Sequence, residues 1–421
     1  MKTKTITVFA QICNQLLREP LIHISQEMMP VTDGRKTNAQ KYNAWDLLTA
    51  LIFCHLGRCT SLRAIEDGLF TAQQNLHHAK QARYLKRSTL SYINSHSNYE
   101  IFEKYYYVLL NHFKKELHLR FPKSISKPVF SLDSTTISVC LSLFPWARFR
   151  TTKGGFKLHT ALSHENLLPQ VVDMTDGKIA DVKQAKDVIK RLPAESFVVM
   201  DRGYNDYELF AWLTDRGTNF VTRLKDNAVT TDFREHCEAK MPGRWGIYHF
   251  RFKGKAEERC KDKKFRLIQW NDTENNRWFD FVTNNFDLGA PEIAQLYRDR
   301  WKVELFFKKL KQNLCVQSFV GRSENAVMNQ VWVAMITTLL VEVMRRRAKY
   351  DWSFSRLFDY LSMNLLTHND LEEMINRPTL PNDDDNGASN REVIPVQMTF
   401  LNKRGGHGSV IKIQSTIKSV S

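Results

Sequence analysis

Residues 296–311 carry the clearest helical pattern of apolar and polar positions in the chain. The segment has neither Gly nor Pro and is rich in Leu, Lys, Arg and Glu, a composition that predicts one continuous helix. At about 100° per residue, the apolar side chains fall on one narrow stripe. That stripe consists of Leu296, Val303, Phe307, Leu310 and Leu314. The predicted helix therefore packs one side against a core.

A polar row lies beside the apolar stripe of this helix. Its members fall within an arc of about 60° at helical spacing, and they are Tyr297, Arg300, Glu304 and Lys311. An exposed surface with Arg300 and Glu304 paired at i,i+4 is one interpretation, and such a pair contributes only about 0.2–0.5 kcal/mol. A functional row at the edge of a core is the other.

The first 120 residues predict a helical domain. Residues 44–56 are apolar over the length of a buried helix, and a basic and polar run follows at residues 77–88. The basic run favours a domain that contacts DNA. The alternative is the solvated surface of a packing or dimerising domain, because no diagnostic turn marks a DNA-binding helix pair.

From residue 128 onward, the spacing of apolar residues changes from the helical pattern to the alternating pattern of strands. Strands are predicted at residues 129–139, 156–162, 168–174, 196–200 and 219–224, with helices at 180–192 and 204–214. This order predicts an α/β fold with a ribonuclease-H-like core. In that core, three antiparallel strands are followed by parallel strands joined through helices.

Two aspartates occupy neighbouring strands of the predicted core. Asp133 is inside the first strand, and Asp201 immediately follows the fourth. Because those strands are neighbours in this fold, we expect the two carboxylates to converge at one end of the sheet. The later helix would bring Glu304 to meet them.

Residues 226–287 fit neither pattern. Aromatic residues alternate with polar or basic ones at 245–252, 264–270 and 277–283, which predicts an inserted β-rich subdomain of half-exposed strands. An aromatic side chain here, Trp278 for example, is suited to stack on an extruded base. For any single Trp we favour the alternative, a place in the core of a small sheet.

The rest of the chain predicts two further helices, at residues 325–347 and 352–366, and a flexible tail rich in Asn, Asp, Gly and Ser. The predicted parts are a helical domain (1–120), the first part of the catalytic core (125–225), the insertion (226–287), the second part of the core with the C-terminal helices (288–376) and the tail (377–421).

Charge and cysteine usage narrow the class of protein. The chain has 61 Lys and Arg against 45 Asp and Glu, a net charge of +16, which favours a polyanionic partner, most often nucleic acid. Its seven scattered cysteines predict reduced thiols. Cys54, His55 and Cys59 lie in an apolar run, so we expect packing rather than metal binding there.

Without a secretory signal or a bilayer-length apolar run, the chain is expected to be cytoplasmic, with no membrane contact.

These residues together resemble one family. The spacing Y-x2-R-x3-E-x6-K of the polar row is similar to the C-terminal signature of the insertion-sequence-four family of DDE transposases, and Asp133 and the run Asp201-Arg202-Gly203 match that family as well. The resemblance implies cut-and-paste movement of an insertion sequence in bacteria, with a hairpin intermediate. It also implies binding to terminal inverted repeats of double-stranded DNA by a homodimer, at the nucleoid.

The implied chemistry is phosphodiester hydrolysis and strand transfer at two Mg²⁺ ions, for which Mn²⁺ can substitute. Hard cations take oxygen ligands, and two ions together stabilise the attacking and the leaving oxygens. We assign Asp133 as the ligand that bridges both ions, with Asp201 and Glu304 each completing one site.

Four further residues are candidate DNA contacts beside the metals. Arg300 and Lys311 are expected to meet phosphate oxygens, and Tyr297 to donate its hydroxyl to phosphate. Arg202 is either a DNA contact or a structural partner of a carboxylate. His159, on the predicted strand beside Asp133, is expected to be packed and is left out of the site.

Two other classes of function are open. The first is a DNA-binding protein descended from a transposase, and the intact acidic triad argues against it. The second is a ribonuclease-H-like nuclease without strand transfer. The β-rich insertion and the polar row argue against that class, because simple hydrolysis needs no extended surface for a DNA end.

A basic protein that binds the DNA backbone should lose affinity steeply as salt rises. We expect the logarithm of the binding constant to fall by about 0.9 per unit of log salt for each phosphate neutralised. Titration of a labelled duplex at several salt concentrations measures this slope. A flat profile would contradict backbone binding.

Overall fold

The computed structural model describes residues 6–28, 43–72, 76–80, 85–119, 125–140, 142–147, 154–225, 228, 237–241, 245–253, 255–260, 263–273, 276–314 and 318–377. The predicted tail, from residue 378 onward, lies outside these ranges. The basic run at 77–88 is described only in part.

Helices fill the described part of the first 120 residues, as the apolar pattern predicts. They are α1 (Val8–Cys13), α2 (Arg18–Met28), α3 (Ala44–Leu56), α4 (Leu62–Thr71), α5 (Arg87–His96), α6 (Glu100–His112) and α7 (Lys114–Leu117). Every residue of α3 is buried. At its start, Asn43 accepts a hydrogen bond from the backbone N–H of Asp46, and the Asp46 carboxylate accepts one from the N–H of Asn43, which satisfies two backbone donors.

The prediction of packing for Cys54, His55 and Cys59 is confirmed. All three residues are buried. The His55 ring hydrogen-bonds the carbonyl of Gln330, 3.0 Å away, and the Cys54 thiol donates to the carbonyl of Cys59.

One mixed sheet forms the centre of the described chain. Its strands are β1 (Val129–Val139), β2 (Gly154–Ser163), β3 (Pro169–Asp176), β4 (Phe197–Met200), β5 (Asn219–Arg223), β6 (Cys237–Met241), β7 (Trp245–Phe250), β8 (Phe265–Asp272) and β9 (Arg277–Thr283). They pair in the order β3-β2-β1-β4-β5-β9-β8-β7-β6.

The pairing directions follow the predicted order. β1 is antiparallel to β2 and parallel to β4, and β4 is parallel to β5. Helices α8 (Asp181–Lys190) and α9 (Tyr207–Asp215) make the two connections that the parallel strands require. The mixed α/β architecture is confirmed, and it is consistent with a ribonuclease-H-like core.

The insertion is β-rich, but its separation as a subdomain is not confirmed. β9 pairs antiparallel with β5, so the strands β6–β9 continue the same sheet. A short helix, α10 (Lys255–Cys260), connects β7 to β8. The strand β6 and the helix α10 were not among the elements predicted from the sequence.

Five helices follow the sheet within the described residues. They are α11 (Ala290–Asp299), α12 (Trp301–Asn313), α13 (Glu324–Arg347), α14 (Phe354–Asn364) and α15 (Leu371–Asn376). The prediction of one unbroken helix over 296–311 is wrong, because α11 ends and α12 begins at Arg300. That residue keeps helical dihedral angles, but the backbone bonds around it are of the shorter i,i+3 type, and this tightening marks the junction.

Helix α13 connects the N-terminal helices to the sheet. Its length and composition would allow it to span a membrane, yet its apolar stretch is wholly buried inside the fold, as in a core helix. Near its end, the carboxylate of Glu342 accepts hydrogen bonds from Arg345 and Arg346 at 2.7–3.0 Å. Arg346 also donates to the carbonyl of Leu117 at 3.2 Å. The hydrogen bond of Arg346 thus fastens α13 to α7, and the ion pair with Glu342 holds the Arg346 side chain in place.

We predict that Glu342→Gln lowers the free energy of unfolding by roughly 1–3 kcal/mol at neutral pH, between the values for an exposed and a buried ion pair, because it leaves two half-buried arginines without their buried anion. Burial alone raises the pKa of Glu342, but Arg345 and Arg346 outweigh it and lower the pKa. Such a carboxylate stabilises the fold above its unfolded pKa of about 4.3 and loses that contribution as pH falls through the folded pKa.

Urea unfolding at pH 7 and at progressively lower pH tests this prediction. The stability difference between the original protein and Glu342→Gln should shrink as the pH falls below about 4. The exposed Glu195→Gln, in the turn before β4, is the matched control and should change little at any pH. A pH-independent difference for Glu342→Gln would rule out the ion pairs as its cause.

Candidate active site

The first carboxylate of the site belongs to Asp133, in the middle of β1. Its Oδ1 accepts a hydrogen bond from the backbone N–H of Ser134 at 2.8 Å, and its side chain is 19% exposed. Burial raises the pKa of Asp133 to about 7, the positive charge of Arg300 opposes the shift, and the nearby carboxylates of Asp201 and Glu304 add to it. The charges of Asp201 and Glu304 therefore act on Asp133.

The second carboxylate, from Asp201, lies at the end of β4. Its Oδ1 accepts from the backbone N–H of Gly203 at 2.8 Å and caps a short 3₁₀ turn, Arg202–Tyr204. The carbonyl of Asp201 accepts from the hydroxyl of Thr222 at 2.9 Å. A Cβ on Gly203 would stand 3.0 Å from the Asp201 carboxylate, so any larger residue would push that carboxylate aside by a few tenths of an ångström.

The third carboxylate, from Glu304, comes from the first turn of α12. It accepts a hydrogen bond from Nη2 of Arg300 at 2.6 Å, while Nη1 of the same arginine lies 3.5 Å from Oδ2 of Asp133. Arg300 is only 8% exposed. The i,i+4 pair of the predicted row therefore exists, with its arginine buried at the sheet and the side chain of Glu304 34% exposed.

Arg300 stays charged in this setting. Burial acts to lower its pKa, but Tyr297, Asp133 and Glu304 outweigh burial and raise it. In the described ranges, no three His, Cys, Asp or Glu side chains are close enough to hold one metal ion. The guanidinium, rather than direct contact, links Asp133 to Glu304.

The donor chemistry of the site nevertheless fits a hard divalent cation. Asp133, Asp201 and Glu304 contribute only carboxylate oxygens, the ligands that Mg²⁺ prefers. The raised pKa of Asp133 reflects burial and negative charge that Arg300 does not fully compensate, and a bound cation would compensate it. These three residues are the ones that could hold a metal here.

The other two members of the polar row face the protein. The Tyr297 ring packs on Phe281 with 4.8 Å between centroids, and burial raises the pKa of its phenol. The Lys311 ammonium donates to the carbonyl of Thr136 in β1 at 2.9 Å, and burial lowers its pKa. Both therefore fix the helices against the sheet.

The remaining sequence-predicted residues are spread over the sheet. Arg202 is half-buried on the turn after Asp201. Trp278 is 52% exposed on β9, so the favoured interpretation of a core tryptophan is wrong for this residue. His159 is buried and hydrogen-bonds the hydroxyl of Thr175 at 2.7 Å, which confirms that it is packed.

Two residues near the carboxylates were missed by sequence reasoning. Tyr204 is buried, its hydroxyl has no hydrogen-bond partner among the described residues, and burial followed by the charges of Asp133, Asp181 and Asp201 raises its pKa. Asp181, at the start of α8, accepts hydrogen bonds from Ser134 at 2.6 Å and Lys157 at 3.0 Å. The only sequence signals were a tyrosine within the Asp201 turn and an acidic helix start.

A mixed sheet with two aspartates on neighbouring strands and a glutamate on a later helix defines a protein of the DDE class. The family model described as "Transposase DDE domain" matches residues 125–340, more than half of the chain. The chain therefore belongs to the transposase DDE domain family. A second model, described as "Domain of unknown function (DUF4372)", matches residues 4–79.

Curated relatives carry names of the same kind. The chain is 32% identical over 240 residues to "Probable transposase for insertion sequence element IS5377" of Geobacillus stearothermophilus, a match that covers 57% of this chain and 62% of the relative. It is 26% identical to "Putative transposase y4zB" of Sinorhizobium fredii, over 59% of this chain and 69% of that protein. The chain thus spans roughly two thirds of the length of these relatives.

We predict that Gly203→Ala reduces metal-dependent DNA cleavage by roughly 100-fold, because the new methyl group displaces the Asp201 carboxylate and small misplacements are costly in catalysis. Cleavage of a labelled duplex is the measurement. Gly217→Ala is the contrasting control, since Gly217 has φ +75° and open space around it. That variant should lose about 1–2 kcal/mol of stability and keep its cleavage rate. If Gly203→Ala cleaved as fast as the original protein, the turn would not be needed to position the Asp201 carboxylate.

Proposed function

We propose that this protein is a DNA transposase that moves an insertion sequence by cut and paste. The observation that carries the proposal is that Arg300 joins Asp133 to Glu304, and that the charge of Asp201 also acts on Asp133, in a chain of the transposase DDE domain family. The name of the Geobacillus stearothermophilus relative, which refers to an insertion sequence, supports it.

In this proposal Asp133 would be a ligand of both metal ions, and Asp201 and Glu304 would each complete one site. Bound Mg²⁺ would activate the attacking water or 3′-hydroxyl and stabilise the leaving oxygen, and Mn²⁺ would substitute for it. The protein itself orients the ligands. The N–H of Ser134 holds Asp133, and the N–H of Gly203 holds Asp201.

Arg300 has two roles in the proposed reaction. Its guanidinium orients Glu304 through a 2.6 Å hydrogen bond, and its charge would attract the phosphate group undergoing attack. Tyr297 and Lys311 support it, since they fasten α11 and α12 to the sheet. We keep both as candidate phosphate contacts, with Arg202 beside Asp201.

The proposed substrate is double-stranded DNA, first the terminal inverted repeats of the element and then the target. The net charge of +16 suits a polyanion. The exposed indole of Trp278 is available to stack on an extruded base, which aromatic side chains do with little sequence preference. The N-terminal helical domain is the proposed binder of the element's ends.

The finer features of the proposal come from the insertion-sequence-four signature in the polar row. They are membership of that family, a hairpin intermediate, a homodimer assembled on DNA, and work in the bacterial cytoplasm at the nucleoid. A DNA-binding protein without cleavage and a ribonuclease-H-like nuclease without strand transfer are the alternatives.

We expect Glu304→Ala to abolish Mg²⁺-dependent cleavage of a labelled duplex that carries the element's own end, while DNA binding is retained. Removal of one carboxylate takes away a metal ligand, but leaves the basic surface unchanged. Cleavage gels and a binding titration with the same duplex measure the two properties. A joined product with target DNA would separate a transposase from a simple nuclease.

The control for this experiment is Asp187→Asn, which removes an exposed carboxylate paired with Lys190 on α8. It should cut and bind normally. If Glu304→Ala cuts as fast as the original protein, the nuclease centre lies elsewhere. If neither protein binds or cuts, the proposed function is wrong.

A further inference from the structure

An open cleft lies between the N-terminal helices and the far end of β1. Its volume is about 690 Å³. One wall is the start of α4, the opposite wall is the end of β1 with the turn after it, and the segment before α13 closes one side. The residues that line the cleft include Leu62, Arg63, Arg87, Ser138 and Arg322. None of them belongs to the carboxylate site.

The cleft is strongly basic. Arg63, Arg87 and Arg322 are all exposed, and none of the three guanidinium groups forms an ion pair within the part of the chain that the structure describes. A smaller adjoining cleft of about 270 Å³ shares Arg63 and Arg87 and adds Lys86, with Glu66 as its acidic residue. Four positively charged side chains and one carboxylate thus line one continuous groove.

Two helices begin at this groove and add to its positive character. α4 starts at Leu62 and α5 at Arg87, and both residues line the cleft. The first backbone N–H groups of a helix carry partial positive charge, which favours anions. A planar guanidinium group can donate two hydrogen bonds to the oxygens of one phosphate. The arginines and the helix starts therefore both favour a phosphate ligand.

One wall of the groove lies on the same strand as Asp133. Ser138 is five residues after Asp133 on the same strand, about 17 Å at the usual rise of a strand. The indole N–H of Trp146 donates to the carbonyl of Arg322 at 2.9 Å, which ties the segment before α13 to the turn after β1. The distance corresponds to about five base pairs of a duplex.

We infer that this groove, formed by Arg63, Lys86, Arg87 and Arg322, binds the sugar-phosphate backbone of the element's end. Its wall at Ser138 corresponds to about five base pairs from the strand position attacked at Asp133. The inference rests on the proposed function and names a second contact region for the same DNA. Backbone binding carries no sequence information, so the groove positions the duplex and does not select it.

The test compares two variants that each remove one positive charge, at opposite ends of α13. Arg322→Gln lies just before the helix, in the groove. Lys349→Gln lies just after it, about 36 Å away for a helix of this length. The probe is a labelled duplex of arbitrary sequence, titrated at several salt concentrations. Arg322→Gln should reduce the salt slope by about 0.9, and Lys349→Gln should leave it unchanged.

The combined variant Arg63→Gln/Arg87→Gln/Arg322→Gln enlarges the effect. Its slope should fall by about 2.7 if each arginine neutralises one phosphate. Thermal unfolding shows whether it is folded. If it is not, the three single variants give the same comparison, each against Lys349→Gln. Equal slopes for groove and control variants would overturn the inference.

A chemically modified duplex locates the contact. Neutral methylphosphonate groups placed about five base pairs from the cleavage position should weaken binding by the original protein and have little further effect on the triple variant. The same groups placed elsewhere should weaken both proteins equally. If the original protein does not bind DNA, the proposed function fails as well. If it binds and cuts while the modified positions make no difference, only the groove is refuted.

Discussion

The buried guanidinium of Arg300 is the interaction on which the arrangement of the site depends. It joins a carboxylate of β1 to a carboxylate of α12, and these elements are separated by most of the catalytic domain in sequence. Removing one partner of a buried ion pair leaves an uncompensated charge, which is more costly than losing an exposed pair. The same residue stands at the junction between α11 and α12. Packing of Tyr297 on Phe281 and the hydrogen bond from Lys311 to Thr136 then hold both helices in place.

The sheet sets the positions of the two aspartates through pairing alone. β1 is bonded on one side to β2 and on the other to β4, so Asp133 cannot shift along its strand without breaking both ladders. Asp201 follows β4 directly and is fixed by a turn that only a residue without Cβ fits comfortably. Rigid strands thus carry two of the acidic groups, and the third arrives on a helix. A site built on regular elements is positioned more exactly than one built on loops.

Much of this core can be predicted from the sequence, because the spacing of apolar residues and the residue types determine where its strands and helices form. β1 and β9 have the bounds that the alternating pattern predicts, and α3 has those of its apolar run. The junction at Arg300 could not be predicted, since no Gly or Pro marks it and tertiary contacts cause it. β6, with sequence CEAKM, alternates apolar and polar residues but has none of the β-branched or aromatic residues that are enriched in strands. Tyr204 and Asp181 come close to Asp133 only through the crossing of distant elements, and Trp278 is exposed although aromatic residues in strands are usually packed.

The pairing of β9 with β5 has a consequence for the integrity of the sheet. Without the segment that ends in β9, the backbone N–H and C=O groups of β5 would have no neighbour on that side. An unpaired edge of apolar strands is a template for pairing with another chain, and β5 has a buried centre at Phe220, Val221 and Thr222. The segment between the second aspartate and the glutamate therefore also protects the catalytic sheet against aggregation. A shortened chain that lacked it would be expected to lose solubility before it lost any contact to DNA.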